Sequence, residues 1–564
     1  MVKQGTILNW VDKQRKPLNT EVAHAKNKAS NDVFDGHAKR LKRCEDTWSS
    51  DEEPGSSQDC FECSQDSMPD LDSCVSSTQI IDSCSSVDEL SVLGYENRLE
   101  NRKMIKDSVH GCIYLEPLCM AITDTVHFQR LRHLKQLGAS SYVYMGATHS
   151  RFEHSMGVAH LAEYMLTQLR THQPWLQIDN RDILCVKVAG LCHDLGHGPF
   201  SHVYDGIFMQ QLKERGQGIP SMQRWTHEQG SVDMLDALLA EYNIDLTSYG
   251  LCSIDHEFIK ELILGRPLDL SSREFRGRPT KPFLYEVVNN AKTGLDVDKL
   301  DYFMRDAQYT GVKAGCDTQL LLSTARVLPD AVSGELTMCW PEKLAEQIMK
   351  VFRTRFELHQ SVYQHKVTRA IEYMICDVLL EADTSFQIRG SRISQAPLHM
   401  IAYKNLDDRV LALIEHSNDP RLAKSQAMLE RIATKPLYKW VGTTQETSRS
   451  ALLSEAEIKI EICRFSGGCN LDPSQLIIEK NKIHYGQKDR DPLKAIRFFR
   501  KHASPTAKCF QLHEAAYAMH CPKQFMESNV RLFVRDDHLL GVARAAFVEW
   551  CTKQNRSYVY PQEE

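Results

Sequence analysis

Long apolar runs are missing from this chain. No stretch of its 564 residues approaches the ~18–20 hydrophobic residues that a membrane-spanning helix needs, and the N-terminus, MVKQGTILNW, lacks the apolar core of a secretory signal. The first absence argues against a membrane protein and the second against export, so the chain is expected inside the cell. Charge of one sign is also scarce: 68 Lys and Arg against 74 Asp and Glu give a net charge of −6. A polyanion gains nothing from such a field and has to be held by local clusters of Arg and Lys, which points to a pocket rather than a broad basic face. Close cysteine pairs are rare among the 18 cysteines. Residues such as Cys185 and Cys192 sit in apolar helical patterns as small hydrophobes, which fits a reducing compartment. Cys60-Phe-Glu-Cys63 has no second close pair in Cys74 and Cys84 to complete a zinc site, and its spacing is read as chance.

From Cys44 to Asn97 there is not one Lys or Arg, and the segment is acidic and rich in serine. Such a composition cannot bury enough apolar surface to offset its conformational entropy, so residues 1–97 are predicted to form a disordered tail. Within it, KRLKR, with Lys39, Arg40, Lys42 and Arg43, reads as a nuclear import signal or as a solvated basic run; a nuclear location, with the cytoplasm second, is expected. Residues 4–11, with Gln4, Ile7 and Trp10, resemble peptides that dock on the DNA sliding clamp as a short helical turn, a pattern a random tail also produces.

Beyond Asn97 apolar residues recur three and four apart, as in FQRLRHLKQL, HSMGVAHLAEYMLTQL and DILCVKVAGLCHDL, which predicts helices. Strand-like alternation comes late, in IKIEICRF from Ile458 and LIIEKNKIHYG from Leu476. The expected architecture is mainly α: a helical region over 98–385 followed by a smaller α+β lobe over 386–564.

The chemistry concentrates in GLCHDLGHGPFSH. Asp179 can cap a helix running through Ile183 to Leu191, which Gly196 and Gly198-Pro199 terminate, placing His193 and Asp194 in its last turn. Adjacent helical residues diverge by about 100°, so an imidazole and a carboxylate there can grip one ion from neighbouring directions. Further ligands must come from elsewhere, and His154 in HSRFEHS and Asp298 in DVDKLDYFMRD supply them. This mixed nitrogen and oxygen set suits zinc, iron or manganese, with zinc the first choice. Beyond the glycine break, His197 and His202 should swing away from the ion. In DVDKLDYFMRD, Asp298, Tyr302 and Asp306 recur every four residues with Lys299 on the same broad face. The stretch 342–389 has no Gly or Pro and reads as one long helix whose Arg355, His359, Tyr363 and Lys366 share a face, a stripe that solvent alone could explain. Arg151, three residues before His154, is a further cation for phosphate.

The words SRFEHSMGV, GLCHDLGHGPFSH, WTHEQGS, DVDKLDYFMRD and YQHK closely resemble the vertebrate SAM- and HD-domain deoxynucleoside triphosphate triphosphohydrolases, over roughly residues 102–554. Residues 1–97 lack the apolar periodicity of a SAM bundle, so that domain is expected to be missing. The resemblance implies an HD domain at about 151–306, metal ligands His154, His193, Asp194 and Asp298, and His227 as the general acid. It places His197 and His202 on the triphosphate, Lys299, Tyr302, Asp306, Arg355, Tyr363 and Lys366 on phosphate and sugar, and Gln136 and Leu137 near sugar and base. The implied reaction is attack of a metal-activated water on the α-phosphorus of a dNTP, releasing deoxynucleoside and triphosphate. It further implies a homotetramer assembled by GTP and a dNTP, carried with Mg²⁺, at Lys103, Met104, Asp124, Gln129, Arg132, Lys343, Lys435, Lys439 and Arg490, with a C-terminal regulatory and oligomerisation lobe. Leu320 and Pro341 stand where the second regulatory site should be basic, and Lys435 replaces an Arg, so dNTP activation is expected to be weaker. Antiviral, innate-immune, replication and DNA-repair roles follow from the resemblance alone. The competing readings are an HD phosphodiesterase or nucleotidase, and a single-stranded nucleic-acid binder with little catalysis.

Overall fold

A computed structural model describes residues 101–560 except 220, 221, 223, 224, 273, 470, 502 and 505. The expected tail, with its KRLKR run and the clamp-like residues 4–11, lies outside the described residues. Among the described residues no helix is long and apolar enough to cross a membrane.

The fold is mainly helical, as its periodicity requires. After an antiparallel hairpin, β1 (Lys103–Asp107) and β2 (Gly111–Leu115), come α1 (Arg151–His172), α2 (Asn180–Cys192), α3 (His227–Glu241), α4 (Ser253–Leu264) and α5 (Val297–Thr310). Their starts are written in the sequence. Ser150 and Glu153 form a reciprocal capping box on α1, Asp179 and Asp182 do the same on α2, and the side chains of Thr226 and Asp296 accept backbone N–H groups at the heads of α3 and α5. α1 and α2 bury most of their surface, including Met156, Val158, Leu161, Val186, Val188 and Leu191, in one large core.

The long helix expected over 342–389 is two helices, α6 (Ala345–Leu358) and α7 (Lys366–Ala382). Between them the chain is π-wound at His359–Tyr363, and His365, in an extended conformation, accepts the Val367 N–H to start α7 afresh. A local cap ends the helix where no Gly or Pro marks it.

Besides a short antiparallel pair, Gln387–Ile388 with Ser391–Arg392, the remaining strands are β3 (Arg326–Pro329), β4 (Leu336–Pro341), β5 (Lys439–Gln445), β6 (Leu476–His484), β7 (Arg497–Phe499), β8 (Met526–Val534) and β9 (Tyr558–Val559). They form a sheet of order β3-β4-β7 and an antiparallel sheet of order β9-β5-β8-β6, in which Val530 pairs with both Thr444 and Lys480. The strand expected at LIIEKNKIHYG is β6, but IKIEICRF belongs to α8 (Glu455–Cys463). The capping box of Ser454 with Glu457 starts that helix, and Ile458 and Ile462, one turn apart, enter a second core with Val441, Ile478, Leu532 and Trp550. The helical i, i+4 pair overrides the apparent alternation, and Ile460 is left exposed. α9 (Leu540–Lys553) closes this core.

One contact brings the site's helices together. Gly157 of α1 faces α5 so closely that a Cβ there would overlap the Asp301 carboxylate and lie 2.5 Å from Arg305 Nη2. Arg305 is fully buried and bonds Asp107 Oδ1 and Asp301 Oδ2, each at 2.9 Å. Gly157→Ala should therefore destabilise the fold by about 1–3 kcal/mol through overpacking, read as a lower urea midpoint. An unchanged midpoint would show that the α1–α5 contact is not tight.

Candidate functional site

His154, on the first turn of α1, is clamped between two carboxylates of α5. Its Nδ1 lies 2.7 Å from Asp301 Oδ2 and its Nε2 lies 3.0 Å from Asp298 Oδ1. Asp301 also takes bonds from Arg305 and sits 2.5 Å from His110 Nε2, so Arg305 and the two imidazoles hold its carboxyl well below the usual range against the opposing effect of burial. A charged Asp301 fixes the proton of His154 on Nδ1 and frees Nε2 as a ligand. α2 ends at Cys192 and leaves His193 as its C-cap, with Asp194 in the turn that follows, close to the expected last turn. His193 Nδ1 donates to Gly190 O at 2.7 Å, and its Nε2 is buried without a hydrogen-bond partner, 3.3 Å from Asp194 Oδ1 and 3.5 Å from Asp298 Oδ1.

These atoms fit a metal ion. The ligand atoms of His154, His193 and Asp194 lie within 4.8 Å of one another, and the Asp298 carboxylate approaches both free Nε2 atoms. The field favours positive charge: burial alone would lower His154, yet the carboxylates of Asp298, Asp301 and Asp194 push it up to about 10. Two neutral imidazole nitrogens and two carboxylates are a donor set that a divalent transition metal accepts.

A second cluster joins His197, His202, Asp205 and His227. The rings of His197 and His227 stack at 4.0 Å, inclined by 19°. His227 Nδ1 lies 2.7 Å from Asp205 Oδ2, and its Nε2 lies 3.3 Å from Glu228 Oε1. Burial opposes the charged form of both rings, but the outcomes differ. Arg151 and His227 help to keep His197 well below its ordinary value, whereas Asp205 and Glu228 raise His227 above its own. The pair is thereby divided into a neutral imidazole and one that favours its proton, the separation that acid–base chemistry uses.

Gly196 makes this junction possible. A Cβ on it would overlap the backbone of His227, Gly230 and Ser231, so only glycine lets the turn after α2 lie against the head of α3. The glycine break does not carry His197 clear of the metal group as expected: its Nε2 remains 3.3 Å from Asp194 Oδ1. His202, whose side chain is 73% exposed, is the one that turns outward, with Nδ1 3.4 Å from Asp205.

Both clusters open into a cavity of about 480 Å³. Its lining brings together Gln136, Leu137, Arg151, Lys299, Tyr302, Asp306, Arg355 and Tyr363 with the two clusters. Arg151 Nη1 donates to Asp194 Oδ2, Lys299 Nζ to Asp296 Oδ2 at 2.8 Å, and Arg355 to the carbonyl of His484. Asp306 accepts from the Tyr363 hydroxyl and lies 2.8 Å from His149 Nε2, which ties α5 to the π-wound turn that follows α6. Lys366 departs from expectation. It heads α7 on the far side of the π-wound turn and places its ammonium over the Trp440 ring at 4.2 Å, outside the cavity lining.

The positions read as regulatory lie away from the cavity. Lys103 and Met104 are exposed on β1, and Asp124 and Arg132 are exposed on nearby turns. Arg132 donates to Gln129 Oε1 at 2.7 Å and covers the Phe152 ring. Lys343 is exposed between β4 and α6, Lys435 lies over the Tyr142 ring in a left-handed conformation, Lys439 begins β5 and Arg490 is exposed. Leu320 and Pro341 are half-buried.

Sequence reasoning passed over Asp301, Asp205, His149, Arg369 and Glu372. Asp301 carried a signal, one helical turn beyond Asp298 in an acidic stretch; the others meet the site only through tertiary packing.

The HD-domain family model matches residues 151–249, which carry His154, His193, Asp194 and His227. The chain is similar to the deoxynucleoside triphosphate triphosphohydrolase SAMHD1 of Homo sapiens, with 38% identity over 84% of this chain and 77% of that protein. The protein of the same name from Danio rerio is 39% identical over 82% of this chain and 76% of its own length. The SAMHD1 homolog of Dictyostelium discoideum is 34% identical over 82% of this chain and 83% of its own length. With its two imidazoles and two carboxylates converging beside a proton-favouring histidine, the chain belongs to the HD-domain deoxynucleoside triphosphate triphosphohydrolase family.

Proposed function

We propose that this chain hydrolyses dNTPs to deoxynucleoside and intact triphosphate at the His154–His193–Asp194–Asp298 centre, with zinc the first choice of metal and iron or manganese the alternatives. The observation that carries the reading is the convergence of two freed Nε2 atoms and two carboxylates in the same cavity as His227. A divalent cation bound there supplies Lewis acidity, lowering the pKa of water and polarising a phosphoryl oxygen.

The residues do the rest. Arg151, Lys299 and Arg355 neutralise charge growing on the triphosphate, and among the described residues no carboxylate forms an ion pair with Arg355. His227 gives its proton to the departing 5′ oxygen, and Asp205 orients the ring and sustains that proton. His197, kept neutral, and His202 donate N–H bonds to phosphate oxygens. Tyr302 and the Tyr363–Asp306 pair face the sugar, where a tyrosine crowds a 2′-hydroxyl and favours deoxyribose. Gln136 and Leu137 close the sugar and base end.

Regulation is part of the same proposal. GTP and a dNTP, each with Mg²⁺, assemble a tetramer through Lys103, Met104, Asp124, Gln129, Arg132, Lys343, Lys435, Lys439 and Arg490. With Leu320 and Pro341 in place of cations, the second nucleotide activates weakly. The sequence resemblance supports this reading and control of dNTP pools, and the KRLKR run supports a nuclear location.

Purified protein incubated with dGTP, and with dATP with and without GTP, should release triphosphate on ion-exchange analysis; pyrophosphate or monophosphate alone would overturn the reaction assigned here. His193→Ala should lose its divalent metal on elemental analysis together with its hydrolysis, and a variant that is metal-free yet active contradicts the centre. Activity that needs protonated His227 is present below its pKa and disappears as pH rises through it. Asp205→Asn removes the carboxylate that raises that pKa, so the alkaline limb of kcat/KM should move to lower pH. A limb that stays in place excludes His227 as the acid.

A further inference from the structure

One wall of the cavity has no role in the chemistry above. α7 contributes Arg369 and Glu372 to the lining. The Arg369 guanidinium is held on two sides, by Nη1 to Glu372 Oε2 and by Nε to Glu479 Oε1 of β6 at 2.5 Å. Two carboxylates around one guanidinium leave this group with no surplus positive charge, so it is a poor partner for phosphate, unlike Arg355. What it presents to the cavity is a fixed carboxylate. Glu372 Oε1 lies 3.6 Å from the point where a side chain on Gly138 would begin, and Gly138 has none. Gly138 follows Gln136 and Leu137, so the carboxylate lies at the end of the cavity assigned to sugar and base. Nearby, Gln364 has a buried Oε1 without a partner, while its backbone carbonyl accepts from Arg531, which also approaches Glu479. This wall is therefore rich in acceptors.

Among the four bases only guanine offers two adjacent N–H donors, N1–H and the 2-amino group, on its pairing edge. A carboxylate held by Arg369 on one oxygen still has lone pairs for both donors, whereas a base that supplies fewer leaves Glu372 Oε1 desolvated without its full set of bonds, the arrangement that discriminates most strongly. We propose that Glu372, clamped by Arg369, reads the pairing edge of the nucleobase and makes dGTP the preferred substrate. The inference rests on the dNTP-hydrolysis reading given above and adds the selectivity of its base end.

The test is an equimolar mixture of the four dNTPs and dITP, which lacks only the 2-amino group of dGTP. All five substrates then meet the same enzyme population, and relative consumption reads relative kcat/KM. The wild-type chain should consume dGTP about tenfold faster than dITP, and Glu372→Gln should shrink that ratio to near one. Glu479→Gln loosens the same clamp from behind, outside the lining, and should lower the dGTP-to-dITP ratio part of the way. Equal consumption of dGTP and dITP by the wild-type chain, a measurement that needs no variant to fold, overturns the proposal while leaving dNTP hydrolysis standing. So does a ratio that persists in Glu372→Gln. If no dNTP is consumed at all, the underlying reaction fails and the inference falls with it.

Discussion

The site depends on a buried line of charge that runs from Asp107 through Arg305 and Asp301 to His154. Arg305 and Asp301 are fully buried, and such groups are tolerated only where each is paired and hydrogen-bonded. The line joins the first hairpin, α5 and α1, and its last member decides which nitrogen of His154 is free. Without a charged Asp301 the imidazole has no fixed tautomer, and the convergence of ligands loses one arm. Gly157 is what allows α1 to lie close enough for the line to close.

The two histidine clusters show how one short segment is divided between tasks. His193 and Asp194 stay with α2, while the turn that follows is pressed onto the head of α3 because Gly196 has no side chain. Stacking then sets His197 against His227, and their surroundings push the two rings in opposite directions: Arg151 faces one, Asp205 the other. The ring that favours its proton and the neutral imidazole differ in neighbours rather than in kind.

Much of this was legible because it is local. Asp179 announced α2, the apolar spacing announced α1, and His154, His193, Asp194 and Asp298 were identifiable from residue type and the words around them. What could not be read depended on distant partners. Asp205 matters through a histidine 22 residues away, and Arg369 through a strand residue 110 away. The misread IKIEICRF has an alternating pattern that also places Ile458 and Ile462 one helical turn apart, and its capping box settles the choice. Lys366 was grouped with Tyr363 by helical spacing, but the π-wound turn before it changes the phase, so the two side chains leave in different directions.

That interruption at His359–Tyr363 has an evolutionary consequence. Arg355 precedes it and Tyr363 is its last residue, held by the His484 carbonyl and by Asp306, whereas Arg369 and Glu372 follow it and are anchored to β6. Mutations in α7 can thus accumulate without shifting the register of α6. If Glu372 reads the base as proposed above, a lineage can redraw which base its enzyme favours while the cluster of His154, His193, Asp194 and Asp298 is inherited intact.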